Sequence, residues 1–257
     1  MRDDCPRCMI KRVLTIAGSD SGGGAGIEAD IKTIAALGGY GCTAITAVTA
    51  QNTLGVFGVH TLPAEFVRLS IQTVLADIGV DAVKLGMLAN AGIIAVVAAS
   101  MPCGVPVVLD PVMVATSGAV LLPDDAIAGV KKLLMPLATI VTPNLPEAAK
   151  LTGLALRGAD DYLAAGRALL AMGAKAALIK GGHGDGDMLT DTLVYEGGVE
   201  VFSHPRIHTK NTHGTGCTLA SAIATGLAQG MGLVDAVRRA HDYLQMAIKH
   251  APGFGSG

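Results

Sequence analysis

Short, unbroken apolar runs alternate with longer stretches of helical periodicity along most of this chain. Residues 13–17 read as a buried strand that enters a glycine-rich segment, 18–26, and then a helix with Ile27, Ile31, Ile34 and Leu37 on one face. A second apolar stretch, 43–50, ends in Gln51-Asn52, and a helix follows over about 64–77. Further strands are predicted at 82–85, 105–109, 139–142 and 176–179, with helical patterns near 91–100, 124–135, 146–152 and 160–172. Such alternation implies a mostly parallel sheet with helices on both faces. Residues 192–195 and 199–203 flank Glu196-Gly197-Gly198, the signal of an antiparallel edge hairpin. Two helices close the chain, one after Gly214-Thr215-Gly216-Cys217 and one carrying Leu233, Val237, Ala240, Leu244 and Ile248.

Composition agrees with that pattern. Hydrophobic residues make up 51% of the 257 and charged residues 16%, as suits strands buried on both faces, and the sequence does not read as disordered. A net charge of -2 with scattered Lys and Arg offers no stripe for nucleic acid or an anionic membrane, so a small-molecule partner is expected. No apolar stretch reaches membrane-spanning length and no secretory pattern opens the chain, so it reads as cytoplasmic. With no linker or repeat inside it, 9–257 is expected to form a single domain. Five cysteines, at 5, 8, 42, 103 and 217, follow no disulfide framework. Cys5 and Cys8 have CxxC spacing without a second pair, so residues 1–8 are expected to be a disordered extension rather than a zinc or redox site.

In an open parallel sheet, ligands sit beyond the carboxyl ends of the strands. The glycine-rich loop fits GxGxxA, yet Gln51-Asn52 stands where a dinucleotide site wants a ribose-binding acid, which disfavours a dehydrogenase; no GK[ST] makes a P-loop. Either a tight turn needing positive φ or a backbone approach to a ligand explains it. Asn144 and Glu147 have the spacing of a helix-capping box and equally of a magnesium or phosphate site, with Asp110 as a second carboxylate. Lys180 ends a strand as a phosphate contact or as a solvated lysine. Gly214, Thr215, Gly216 and Cys217 open an apolar helix whose first-turn amides make an anion site. There the Cys217 thiol is expected to be acidified into a base or nucleophile, unless it is a small buried hydrophobe.

In this order, GSDSGGGAGIEAD at 18–30, DPVM at 110–113, NLPE at 144–147, KGGH at 180–183 and GTGCT at 214–218 resemble the hydroxymethylpyrimidine and phosphomethylpyrimidine kinases of thiamine synthesis, in the ribokinase-like superfamily. The resemblance runs from about Val13 to Gly255. It implies a three-layer α/β/α sandwich, ATP and Mg²⁺ as cofactors, two successive phosphorylations of 4-amino-5-hydroxymethyl-2-methylpyrimidine, and a homodimer. Residue by residue, it makes Gly214 to Cys217 the anion hole and Cys217 the base. Asn144 and Glu147 become the magnesium and phosphate motif, with Asp110 assisting the metal and Lys180 on a nucleotide phosphate. Asp30 and Gln51 would contact the pyrimidine, with Met87 and Gly18 at the pocket. Residues 1–8 match no part of the motif pattern, and the family often continues past Gly253-Phe254-Gly255 into a His-containing tail, whereas this sequence stops at Gly257. A pyridoxal kinase shares most of these motifs, and a non-catalytic pyrimidine sensor would keep the pocket. Gln51 favours the aminopyrimidine, because a carboxamide pairs with an amine and an adjacent ring nitrogen.

Overall fold

The computed structural model describes residues 10–114, 118, 121–181 and 187–256; the expectation for residues 1–8 lies outside them. Ten strands and eight α-helices follow in the order β1 (Arg12–Ala17), α1 (Gly26–Ala36), β2 (Tyr40–Ile45), β3 (Ala47–Asn52), β4 (Gly55–Thr61), α2 (Ala64–Asp77), β5 (Ala82–Leu85), α3 (Ala91–Ala99), β6 (Val107–Leu109), α4 (Asp124–Gly129), β7 (Ile140–Val141), α5 (Leu145–Thr152), α6 (Ala159–Ala171), β8 (Ala176–Ile179), β9 (Met188–Tyr195), β10 (Gly198–Pro205), α7 (Thr215–Ala228) and α8 (Leu233–Lys249). Eight strands form one sheet in the order β10-β9-β8-β7-β6-β5-β1-β2. The run from β8 to β2 is parallel, while β9 and β10 add an antiparallel edge.

Alternate strand residues feed two separate cores, which is why the strands read as continuous apolar runs. Leu14, Ile16, Val83, Leu85, Val107, Leu109 and Ile179 pack under α2 to α6, whereas Val13, Ala82, Val108, Ile140 and Leu178 pack under α1, α7 and α8. The expected three-layer sandwich is therefore present, and the strands at 82–85 and 176–179 have the expected bounds.

Three local expectations change. The stretch 43–50 is not one strand: β2 ends at Ile45 in the main sheet, and β3 leaves it to pair with β4 as a separate antiparallel ribbon. The predicted helix 124–135 breaks after Gly129 into a π-helical turn, Val130–Leu134, and a 3-10 turn, Met135–Leu137. Pro136 explains the break, since it lacks an N–H and its ring crowds the carbonyl one turn back. In α1 the buried face is Ile27, Asp30, Thr33 and Ile34, while Ile31 is 38% exposed. A polar residue holds a position that periodicity assigned to the apolar Ile31.

Candidate active site

Glycine shapes the floor of the site. Gly214 caps α7 with φ of 77°, and a Cβ there would overlap the Gly24 carbonyl oxygen. A Cβ on Gly24 would in turn lie 2.7 Å from the His213 ring. The glycine-rich loop and the start of α7 thus touch backbone to backbone, which side chains would prevent. Of the two readings of that loop, positive φ and close approach are both realised, but the close approach is to another loop of the same chain.

A cavity of about 660 Å³ opens over these loops, beyond the carboxyl ends of the parallel strands. Gly18, Gln51, Met87, Asp110, Asn144, Glu147, Lys180, Gly214, Thr215, Gly216 and Cys217 all line it. Eleven of the twelve site positions expected from sequence are brought together.

Asp30 is the exception. It is 0% exposed and lies below the cavity, not on its wall. Its carboxylate takes Lys84 Nζ at 2.9 and 2.8 Å, Ser221 Oγ at 2.7 Å and a short bond from Thr15 Oγ1. With its lone pairs engaged inside the fold, Asp30 is a structural carboxylate and not a pyrimidine contact.

At the α7 end, the amides of Gly216 and Cys217 are in the first helical turn and have no acceptor within the helix. Lys180 and Asp110 stand beside them: a Cβ built on Gly216 would be 3.3 Å from Lys180 Nζ and 3.6 Å from Asp110 Oδ2. Lys180 Nζ lies 3.2 Å from Asp110 Oδ1, which also accepts from Thr142 Oγ1 at 3.3 Å. Burial pulls the Lys180 ammonium down, but Asp110 and Glu147 outweigh it and hold the group above its ordinary value.

Asn144 and Glu147 form both halves of a capping box, each side chain accepting from the other's backbone N–H at 2.9 Å. The cap does not remove Glu147 from the site. Its buried carboxyl is pushed up to about 7 by desolvation, against the pull of Lys180, with Asp110 adding to the rise and the amides of Asn144 and Met113 to the pull. Among the described residues, no cluster of three or more His, Cys, Asp or Glu forms a metal cage. Asp110 and Glu147 nevertheless fit a Mg²⁺ ion that completes its shell with water and phosphate, because a cation between them would relieve their mutual repulsion.

The Cys217 thiol departs from expectation. Burial pushes it up to about 11, Asp30 and Asp110 add to the rise, and Lys84 and the Gly26 N–H only partly offset it. The helix end does not acidify this thiol, because loss of water outweighs the amide field.

At the opposite wall, β4 carries one extra residue, Phe57, against the Ala50–Gln51 step, and this irregularity falls where β3 delivers Gln51 to the cavity. Gln51 Nε2 lies 3.2 Å from His213 Nε2, and Oε1 lies 3.3 Å from Thr49 Oγ1. His213 Nε2 is also 2.8 Å from Asp20 Oδ2. Asp20 is buried, yet His213 and the amides of Ala25 and Gly22 hold its carboxyl below the usual range. Asp20 and His213 were not singled out from sequence as site side chains. An Asp two residues before a glycine is a turn signal that marks Asp20, but nothing local links it to His213. Asp191 was also missed: it lines the cavity, accepts from the Gly181 N–H at 2.7 Å, and is pushed up to about 6 by burial.

The sequence profile described as phosphomethylpyrimidine kinase matches residues 20–257. The hydroxymethylpyrimidine/phosphomethylpyrimidine kinase of Bacillus subtilis (strain 168) is 48% identical over 251 residues, covering 96% of this chain and 93% of that one. The crystal structure of phosphomethylpyrimidine kinase from Clostridium difficile 630 superposes with a TM-score of 0.82 at 42% identity, covering 93% of this chain and 99% of that one. An ADP complex of Bacillus subtilis pyridoxal kinase gives 0.88 at 36% identity, covering 96% and 94%. Fold alone does not separate these two activities, but the sequence profile and the identity over nearly the whole length do: the chain belongs to the phosphomethylpyrimidine kinase family.

Proposed function

We propose that this chain transfers the γ-phosphoryl group of ATP to the hydroxymethyl group of 4-amino-5-hydroxymethyl-2-methylpyrimidine, and then a second phosphoryl group to the resulting monophosphate. One observation carries the reading: a carboxamide able to pair with a 4-aminopyrimidine, Gln51, opens into the same cavity as Gly216 and Cys217, whose first-turn amides have no acceptor within α7. Phosphoryl transfer asks the protein mainly for position and charge neutralisation. The amides of Gly214 to Cys217 would receive the transferring oxygens, Lys180 would offset phosphate charge, and Met87 and Gly18 would wall the ring. Asp110 and Glu147 would hold Mg²⁺, which would supply positive charge to neutralise the nucleotide phosphates. ATP as donor is supported by the ADP complex of the similar pyridoxal kinase.

Residues 9–257 serve as the one kinase domain in this reading. Phe57, Val59, Val48 and Leu54 on or beside the β3–β4 ribbon are exposed, Phe57 by 72%, and a second copy of the chain is the partner proposed to cover them. Cys42, Cys103 and Cys217 are unpaired, which suits the reducing cytoplasm.

Pyridoxal kinase is the second reading, drawn from the higher backbone likeness to that enzyme. Pyridoxal lacks the adjacent amine and ring nitrogen that Gln51 would pair with. ATP consumption with hydroxymethylpyrimidine, its monophosphate and pyridoxal, compared side by side, separates the two. The aminopyrimidine is expected to give the higher kcat/KM. A higher value for pyridoxal would overturn the assignment, and no turnover of any acceptor would leave a binding protein.

A further inference from the structure

The proton requirements of four neighbouring groups decide how the Gln51 carboxamide is turned. Asp20 accepts from the amides of Gly22 at 2.8 Å, Gly24 at 3.0 Å and Ala25 at 2.8 Å, so it acts as an ionised acceptor. Its Oδ2 lies 2.8 Å from His213 Nε2, which must therefore carry a hydrogen and donate it; the other tautomer would set two acceptors face to face. The same Nε2 faces one end of the Gln51 amide. At the other end, Thr49 Oγ1 lies 2.8 Å from the Ser19 carbonyl oxygen, to which it gives its one hydrogen, and so can only accept from Gln51. With Nε2 toward His213 and Oε1 toward Thr49, the amide N–H would point at the His213 N–H, donor against donor, with no acceptor between them. Turning the amide by a half-rotation removes the conflict: its nitrogen donates to Thr49 Oγ1, and its oxygen takes a share of the one His213 Nε2 hydrogen, which is divided as a three-centre bond between Asp20 Oδ2 at 2.8 Å and the amide end at 3.2 Å. The two ends have the same shape, so hydrogen-bond accounting is what assigns them.

We propose that His213, oriented by Asp20, is a positioning residue that fixes the Gln51 carboxamide in this one orientation and thereby sets the donor and acceptor order read from the acceptor ring. Fixed in this way, the amide keeps one N–H on Nε2 and one lone pair on Oε1 for the ring. A ring nitrogen paired with the first and an exocyclic amine paired with the second complete both. The selection lies in the order of the two contacts, which a freely turning amide would not enforce. This inference rests on the reading of Gln51 as the residue that recognises the pyrimidine.

His213→Leu removes the donor, while His213→Gln keeps an N–H at similar reach. With hydroxymethylpyrimidine as the varied substrate, His213→Leu is expected to raise KM about five- to tenfold, the loss of roughly one hydrogen bond, with kcat within about twofold. His213→Gln should restore KM to within about twofold of the parent. In a Gln51→Leu background, His213→Leu should raise KM no further, because the group it positions is gone. Multiplying effects in the double variant would show that His213 acts without Gln51 and overturn the proposal. A KM raised by Gln51→Leu but untouched by His213→Leu overturns the positioning role alone. A KM untouched by Gln51→Leu overturns the pyrimidine reading and the proposal with it.

Discussion

At Cys217 two effects oppose each other, and the larger is desolvation. A thiol held at about 11 is protonated at neutral pH, so a base role requires that the alcohol step use a small thiolate fraction. Phosphorylation of hydroxymethylpyrimidine should then accelerate about tenfold per pH unit between about pH 7 and 9. Cys217→Ala should slow that step by roughly 10² to 10⁴ and abolish its slope. The phosphate acceptor of the second step carries an ionised oxygen above about pH 6 and has little need of a base. Alanine keeps the backbone amides of Gly214 to Cys217, so the second step should retain most of its rate. Single-turnover rates of both steps check this; equal losses would assign Cys217 to packing.

At the scale of elements, the buried Lys84–Asp30 pair ties β5 to α1 and, through Thr15 and Ser221, to β1 and α7. Burial alone would lower the Lys84 ammonium, but the Asp30 carboxylate in direct contact, with Asp110 beyond it, holds it above its ordinary value, so Lys84 keeps its charge. Removing one partner strands the other charge. Lys84→Met should cost about 3–5 kcal/mol, lowering Tm by roughly 10 °C. Lys84→Met with Asp30→Leu should recover much of that loss, because an apolar pair leaves no buried charge. Thermal unfolding of the single and double variants tests it. An Asp30→Asn variant with unchanged Tm and a raised KM for the pyrimidine would return Asp30 to the substrate. The burial of Asp30 also shows how a motif can mislead: its place after the glycine-rich loop suggests a ligand contact, but α1 turns it toward Lys84 and Ser221.

Across the whole molecule, stability should depend on pH through groups the fold desolvates. Glu147 titrates near 7 folded and near 4.5 unfolded, so the folded state holds more protons between those values and stability falls as pH rises through them. Asp191, pushed up to about 6, acts in the same direction between 3.8 and 6. His241, pushed down to about 4 by burial and His204, acts oppositely between 4 and 6.5. Glu147→Gln isolates the first effect while keeping a side chain competent at the cap. The variant's Tm relative to the parent should rise steadily from about pH 4.5 to 7, while its turnover falls at every magnesium concentration because the metal prefers an anionic oxygen. Unchanged turnover across a magnesium titration would leave Glu147 as a cap alone.

What the sequence by itself determined is whatever depends on neighbours within a few residues. Strands buried on both faces must read as apolar runs, and that gave the parallel sheet and the bounds of β5 and β8. A cap is set by four consecutive residues, so Asn144 and Glu147 were legible, and ligands lie beyond strand ends, so Gln51, Asp110 and Lys180 were too. The β3–β4 ribbon was not legible, because leaving a sheet changes a strand's partner and not its composition. Asp30 looked available because helical period does not say which way a polar residue on the core side is satisfied, and Lys84 is 54 positions away. His213 meets Gln51 across 162 positions and Asp20 across 193. Only tertiary structure closes such distances, and only burial within it could turn the Cys217 thiol from the acidified group its helix position suggests into one that holds its proton.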